Sequence, residues 1–127
     1  MLPWMLTCAQ AAPCTAPVPI VFARGAAAAE ATGGVPRGSP ECWIVRARAG
    51  QRLSARVESP ERNVVVQIYR PGWTIEQGAP RGSTLPGAGE GQDATAVAAR
   101  LPESGAYLVV LGTTRGSGAY DLRVEIR

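Results

Sequence analysis

The sequence contains neither histidine nor lysine, and all 13 of its basic residues are arginine. Without histidine there can be no Ser-His-Asp triad, no Cys-His pair and no histidine-ligated metal. Without lysine there can be no Schiff base and no phosphate-loop lysine. We therefore expect a protein that binds a partner rather than an enzyme, with no cofactor and no metal.

The sequence also lacks a large excess of charge of either sign. Its net charge is only +3, because ten acidic residues are interspersed with the arginines. A nucleic-acid-binding surface would need clustered basic residues with aromatics between them, so we expect no nucleic-acid partner.

No apolar run approaches the roughly 18 residues of a transmembrane span. A chain of 127 residues with 46% hydrophobic residues predicts one domain with its own core. Nothing in the sequence indicates an oligomeric state.

The first 11 residues are typical of the end of a signal peptide. They are mainly apolar and finish in Ala-Gln-Ala at residues 9–11, the small-x-small pattern that precedes signal peptidase cleavage. No basic residue precedes Arg24, so we expect the first methionine to lie inside a longer signal; a cytosolic tail is the alternative. Cleavage predicts a secreted or periplasmic protein in which residues 12–17 are an N-terminal tail and residues 18–127 the folded domain.

Three cysteines are present, and the predicted cleavage removes one of them, Cys8. Cys14 and Cys42 then remain as an even pair in an oxidising compartment, where they can form a disulfide. Two buried free thiols are the alternative. We favour the disulfide because Cys14 lies just before the first predicted strand and Cys42 begins another.

Short β-strands separated by turns account for the rest of the chain. Apolar and polar residues alternate strictly in residues 52–58 and 119–127, whereas residues 107–111 are continuously apolar and predict a central strand. Residues 112–118 are expected to be a hairpin loop. Seven to eight strands at this spacing indicate an all-β fold, an antiparallel β-sandwich of the jelly-roll kind. The predicted strands are 18–22, 26–35, 41–48, 52–58, 64–69, 94–101, 107–111 and 119–127.

Residues 70–92 are rich in glycine and proline and predict a long loop, the usual place for variable function. Trp73 lies in this loop between Arg70 and Arg81. An aromatic side chain beside guanidinium groups can stack on a sugar or on a partner protein. Alternatively, Trp73 folds back and covers the open end of the sandwich.

Paired carboxylates are the remaining route to catalysis, because glycoside hydrolysis needs two acids that face one groove. Glu58 and Glu61 flank a single turn. Acidic residues at such positions usually face solvent, so a hydrolase is the less favoured hypothesis.

Two short motifs lie at predicted turns, Ala-Gly-Gln at residues 49–51 and Leu-Pro-x-Ser-Gly-x-Tyr at residues 101–107. Together with the strand series of residues 43–53, 63–72 and 120–124, they resemble the bacterial pre-peptidase C-terminal domain. The chain is also similar to the periplasmic inhibitors of g-type lysozyme, over residues 18–127. The motif residues are Ala49, Gly50, Gln51, Leu101, Pro102, Ser104, Gly105 and Tyr107.

The resemblance implies an exported, non-catalytic β-sandwich that binds a protein or glycan of the cell envelope. A lysozyme inhibitor or a carbohydrate-binding accessory module is the more specific alternative. In the inhibitors, loops at one end of the sandwich enter the lysozyme cleft, and the loop before the last strand is basic. In this sequence, Arg115 is the one basic residue in the loop before the last predicted strand. We therefore expect Arg115, Arg70, Trp73 and Arg81 to form a contact surface.

Overall fold

A computed structural model describes residues 12–127, and the predicted signal segment, residues 1–11, lies outside them. The described residues form ten strands and no helix, so none of them belongs to a helix that could cross a membrane. The strands are β1 (Val18–Pro19), β2 (Ala28–Val35), β3 (Glu41–Ala47), β4 (Arg52–Glu58), β5 (Val64–Tyr69), β6 (Thr74–Glu76), β7 (Ala79–Arg81), β8 (Ala96–Arg100), β9 (Gly105–Thr113) and β10 (Gly118–Ile126).

Two four-stranded sheets form a β-sandwich, as the sequence predicts. The first sheet has the order β1-β3-β9-β5, and the second has the order β2-β10-β4-β8. The pairs within the two sheets are antiparallel except β1 with β3, which is parallel. From β2 to β5 and from β8 to β10, each strand lies in the opposite sheet from the one before it. The strand predicted in residues 26–35 is confirmed as β2, which lies at an edge of the second sheet.

The expected hairpin at residues 112–118 is wrong. β9 belongs to the first sheet and β10 to the second, so this connection crosses from one sheet to the other. Alternation of apolar residues shows which side chains share a face, but it does not show which strand is the hydrogen-bonding neighbour. A short turn between two strands is compatible with either arrangement.

The main hydrophobic core lies between the two sheets. β4 and β10 each send alternate residues into it, which confirms the faces predicted from the alternating pattern. Trp43 and Val45 of β3 enter the core from the first sheet. The inward residues of β4 and β10 are Leu53, Ala55, Val57, Tyr120, Leu122 and Val124.

A second hydrophobic cluster covers the outer face of the first sheet. It contains Cys14, Cys42, Tyr69, Leu108 and Val110, with partly buried side chains packed around them. β9 is therefore buried on both faces, which explains why its sequence is continuously apolar rather than alternating.

Part of the predicted loop at residues 70–92 is ordered as a β-hairpin, which corrects that expectation. β6 and β7 pair antiparallel, and Ile75 of β6 packs against the second cluster. Later in the same segment, Leu85 and Ala88 are buried in the main core. A few apolar residues between glycines and prolines were enough to anchor this segment, because each finds a neighbouring apolar surface.

The Cys14–Cys42 disulfide is present and lies within the second cluster. Residues around Cys14 are held to the start of β3, because the Cys42 amide donates to the Ala12 carbonyl at 2.7 Å and Pro13 forms a bridge with Glu41. The segment expected to be an N-terminal tail therefore packs against the sandwich.

The two sequence motifs meet at one end of the sandwich and hold each other. The Gly50 amide donates to the Leu101 carbonyl at 2.9 Å, and the Ala49 amide donates to the Ser104 hydroxyl at 2.9 Å. The Tyr107 hydroxyl, at the start of β9, donates to the Glu103 carbonyl. Gly50 has a φ of +89°, a conformation that favours glycine. These contacts give the motif residues a structural role in joining the two turns.

Candidate functional site

Three exposed loops converge at the other end of the sandwich, and we call this surface the basic end. It consists of residues 36–40, 59–63 and 114–117. Strand register brings the loops together, since Gly118 pairs with Val35 and Val64 pairs with Thr113.

Each of these loops carries one exposed arginine, namely Arg37, Arg62 and Arg115, and the three loops contain a single acidic residue, Glu61. Such an end is complementary to an acidic partner surface.

Asn63 holds the Arg115 loop in place from beneath. Its side-chain amide donates to the carbonyls of Arg115 and Ser117 at 3.0 and 2.9 Å, and the Asn63 backbone carbonyl accepts from the Thr114 amide at 2.9 Å. Asn63 is buried, and a Cβ added at Gly118 would lie 2.7 Å from its Oδ1 atom. The amide therefore fits only because residue 118 lacks a side chain.

Arg115 itself is oriented by the neighbouring loop, since its Nη2 atom donates to the Glu61 carbonyl at 3.0 Å. That carbonyl carries no formal charge, so the guanidinium keeps its charge available to a partner. Within its own loop, the Thr113 hydroxyl donates to the Gly116 carbonyl at 2.7 Å. Loops ordered in advance lose less conformational entropy on binding.

Arg70 and Trp73 lie at the opposite end, beside the two sequence motifs. Arg70 donates through Nε to Glu103 at 3.0 Å and forms an ion pair with it through Nη2. The Trp73 indole donates to the Ala106 carbonyl at 2.9 Å and packs against the second cluster. This geometry favours the alternative in which Trp73 folds back over the sandwich.

Arg81 lies on the β6–β7 hairpin, where its Nε atom is 3.9 Å from a carboxylate oxygen of Glu76. Both side chains are about two-thirds exposed, so this pair is weak and well hydrated.

The four arginine and tryptophan residues singled out from the sequence do not form a single contact surface, contrary to that expectation. Trp73 is bonded to the start of β9, whereas Arg115 follows its end. A strand of nine residues spans about 26 Å at roughly 3.3 Å per residue. Arg115 thus belongs to the basic end, and Arg70 and Trp73 to the other.

A shallow, open cleft of about 550 Å³ lies at the opposite end, between the residues before β2 and the end of β3. Phe22 and Ile126 supply apolar surface, and Arg46 and Arg48 supply charge. The lining contains no acidic residue, so it lacks the carboxylate pair that glycoside hydrolysis needs.

Outside this cleft, Glu58 lines a surface groove with Glu30 and Asp121, and Glu61 is not among the residues of that groove. Glu58 ends β4 and Glu61 lies in the following loop, and both are exposed. Within residues 12–127, no three acidic or cysteine side chains come together as a metal-binding group.

Three solved structures resemble the chain over most of its length. PliG from Aeromonas hydrophila, a periplasmic inhibitor of g-type lysozyme, has a TM-score of 0.70 and 24% identity, covering 87% of this chain and 96% of that one. PliG from Salmonella Typhimurium has a TM-score of 0.63 and 18% identity, with 87% and 97% coverage. A PliG mutant from Escherichia coli has a TM-score of 0.61 and 19% identity, again with 87% and 97% coverage. No family model and no curated protein matches the chain.

At these identities the comparisons establish the fold that the chain shares with the inhibitors. The resemblance to the periplasmic inhibitors of g-type lysozyme, noted from the sequence, is therefore supported at the level of the fold. The resemblance to the pre-peptidase C-terminal domain finds no such support.

Sequence reasoning identified Arg115 but missed its surroundings. Asn63, Arg37 and Arg62 were not singled out. Asparagine in a turn is a common signal for a side chain that binds backbone groups. The grouping of the three arginines depends on strand order, which the sequence pattern does not contain.

Proposed function

We propose that this chain is an exported, non-catalytic inhibitor of a g-type lysozyme, and that its basic end is the inhibitory surface. The observation that carries the proposal is the hydrogen-bonded Arg115 loop beside two further arginine-bearing loops, on a sandwich that resembles solved inhibitors over 87% of its length. The Cys14–Cys42 disulfide supports an oxidising compartment such as the periplasm.

Charge explains why this end suits such a partner. Glycoside hydrolases generally place a pair of carboxyl groups at the scissile bond. Loops carrying Arg37, Arg62 and Arg115 can approach such a cleft with complementary charge, which speeds association and disfavours wrong partners. Because Arg115 is already oriented by Glu61 and its loop by Asn63, little ordering is needed on binding.

Inhibition of a g-type lysozyme on bacterial cell walls tests the proposal. We expect the wild-type protein to inhibit the g-type enzyme, and Arg115→Ala to weaken inhibition by about 30-fold, as for an interface hot spot of roughly 2 kcal/mol. Arg81→Ala is the matched control, because it removes the same charge from the distant hairpin. We expect the control to change inhibition by less than about threefold.

Absence of inhibition by the wild-type protein would reject the lysozyme partner. Equal losses in Arg115→Ala and Arg81→Ala would reject the basic end as the contact surface, because overall charge would then account for the effect.

A further inference from the structure

Within residues 12–127, Glu41 is a buried carboxylate with no cation paired to it. It is the first residue of β3, and only 4% of its surface is exposed. Its Oε1 atom accepts from the Tyr120 hydroxyl at 2.7 Å, and that hydroxyl accepts from the Trp43 indole at 2.9 Å. None of the ion pairs within residues 12–127 includes Glu41. Burying a charge in this way is costly unless an opposite charge compensates it.

The second carboxylate oxygen of Glu41 faces a backbone nitrogen. The Ala12 nitrogen donates to Oε2 at 3.2 Å, and Ala12 is fully buried. Its carbonyl accepts from the Cys42 amide at 2.7 Å, and the nearby Cys14–Cys42 disulfide ties the same segment to β3. Contacts on the C-terminal side of Ala12 therefore hold its nitrogen beside the carboxylate.

The opposing sheet leaves little space around this group. A Cβ added at Gly33 of β2 would lie 2.6 Å from the Tyr120 hydroxyl and 3.0 Å from Glu41 Oε1. A basic side chain could not enter from that strand. Among the neighbours of the carboxylate within residues 12–127, the Ala12 nitrogen is the one that can become a cation.

Hydrolysis of the peptide bond before Ala12 would make that cation. The sequence Ala-Gln-Ala at residues 9–11 matches a signal peptidase site at this bond. Water adds across the bond, so that Ala11 gains a carboxyl group and Ala12 an amine. An α-amino group has a pKa near 8 in unfolded chains, so it takes up a proton and is mostly an ammonium at pH 7.

We propose that export cleaves the chain between Ala11 and Ala12, and that the new α-ammonium group of Ala12 forms a buried ion pair with Glu41. Processing thereby completes the folded domain, because the carboxylate gains an opposite charge that no ion pair within residues 12–127 supplies. The inference goes beyond the proposed function and does not depend on which partner the basic end binds.

The first test is the N-terminus of the exported protein, measured by intact mass and N-terminal sequencing. We expect a chain that begins at Ala12. A chain that begins at any other residue would overturn the proposal, since the ammonium would then lie elsewhere.

The second test measures coupling between the amine and Glu41. Urea unfolding is compared for chains that begin at Ala12 and for chains with one glycine added before it, each with Glu41 or with Glu41→Gln. We expect Glu41→Gln to lower the folding equilibrium constant of the chain that begins at Ala12 by a factor at least about ten times larger than in the chain with the added glycine. The reason is that a buried ion pair is broken only in the chain that begins at Ala12. Glu30→Gln, at an exposed glutamate, is the control and should show no such difference.

Equal effects of Glu41→Gln in the two chains would overturn the proposal. If Glu41→Gln fails to fold, acetylation of the Ala12 amine in the wild-type protein replaces it. We expect acetylation to destabilise the protein by at least tenfold in the same equilibrium constant, and unchanged stability would contradict the ion pair.

Discussion

Removing the Cys14–Cys42 disulfide should destabilise the protein by an amount that follows from its position in the chain. The two cysteines are separated by 28 residues, and both are buried. In the loop-entropy treatment, a crosslink of this span disfavours the unfolded state by about 3.6 kcal/mol at 25 °C. The native contacts of the second cluster remain largely in place, so most of the loss comes from the freer unfolded chain.

The expected change in melting temperature follows from that value. For the roughly 116 residues from 12 to 127, an unfolding entropy of about 2.1 cal/mol/K per residue gives about 0.24 kcal/mol/K. A loss of about 3.6 kcal/mol therefore predicts a melting temperature about 15 °C lower in the Cys14→Ala, Cys42→Ala double variant.

Thermal unfolding followed by circular dichroism measures this shift. A reducing agent should lower the melting temperature of the wild-type protein by a similar amount and leave the double variant unchanged, which controls for effects of the reagent. A shift of less than about 3 °C in the double variant would refute the reasoning, because the crosslink would then contribute little beyond the packing around it.

Three further predictions concern single side chains. Asn63→Ala should lower the free energy of unfolding by about 1–3 kcal/mol in urea titrations, because two carbonyls lose their partner, and it should also weaken lysozyme inhibition. Arg123→Ala should leave the melting temperature unchanged within error, because its pairs with Glu30 and Glu125 are exposed. Burial, and then the hydrogen bond to Glu41, raise the pKa of Tyr120, so the folded state is favoured below about pH 10 and loses this advantage as the pH rises further. Urea titrations should therefore show that the wild-type protein exceeds Tyr120→Phe in free energy of unfolding by less at pH 11 than at pH 8.

The strands of this fold were largely predictable from local patterns. The alternation in residues 52–58 predicted β4 with its bounds, and the β-branched run of residues 64–69 predicted β5. Local patterns are reliable here because each strand must present one apolar face to the same core.

The arrangement of those strands in space was less predictable from the sequence. The continuous apolar run of β9 reflects a second cluster on its outer face, but the sequence does not say what covers that face. The β6–β7 hairpin supplies part of the cover, and its short strands carry too few residues to show a period. The expected patch of Trp73 with Arg115 was wrong for the same reason, because sequence patterns do not say at which end of the sandwich a loop lies.

Amide hydrogen exchange of this protein, with and without a g-type lysozyme, tests the proposed inhibitory surface most directly. We expect protection on binding in residues 36–40, 59–63 and 114–117, with little change in residues 48–51 and 101–104 at the opposite end. Protection confined to the opposite end or to a sheet face, or no protection at all, would contradict the assignment of the basic end as the lysozyme-binding surface.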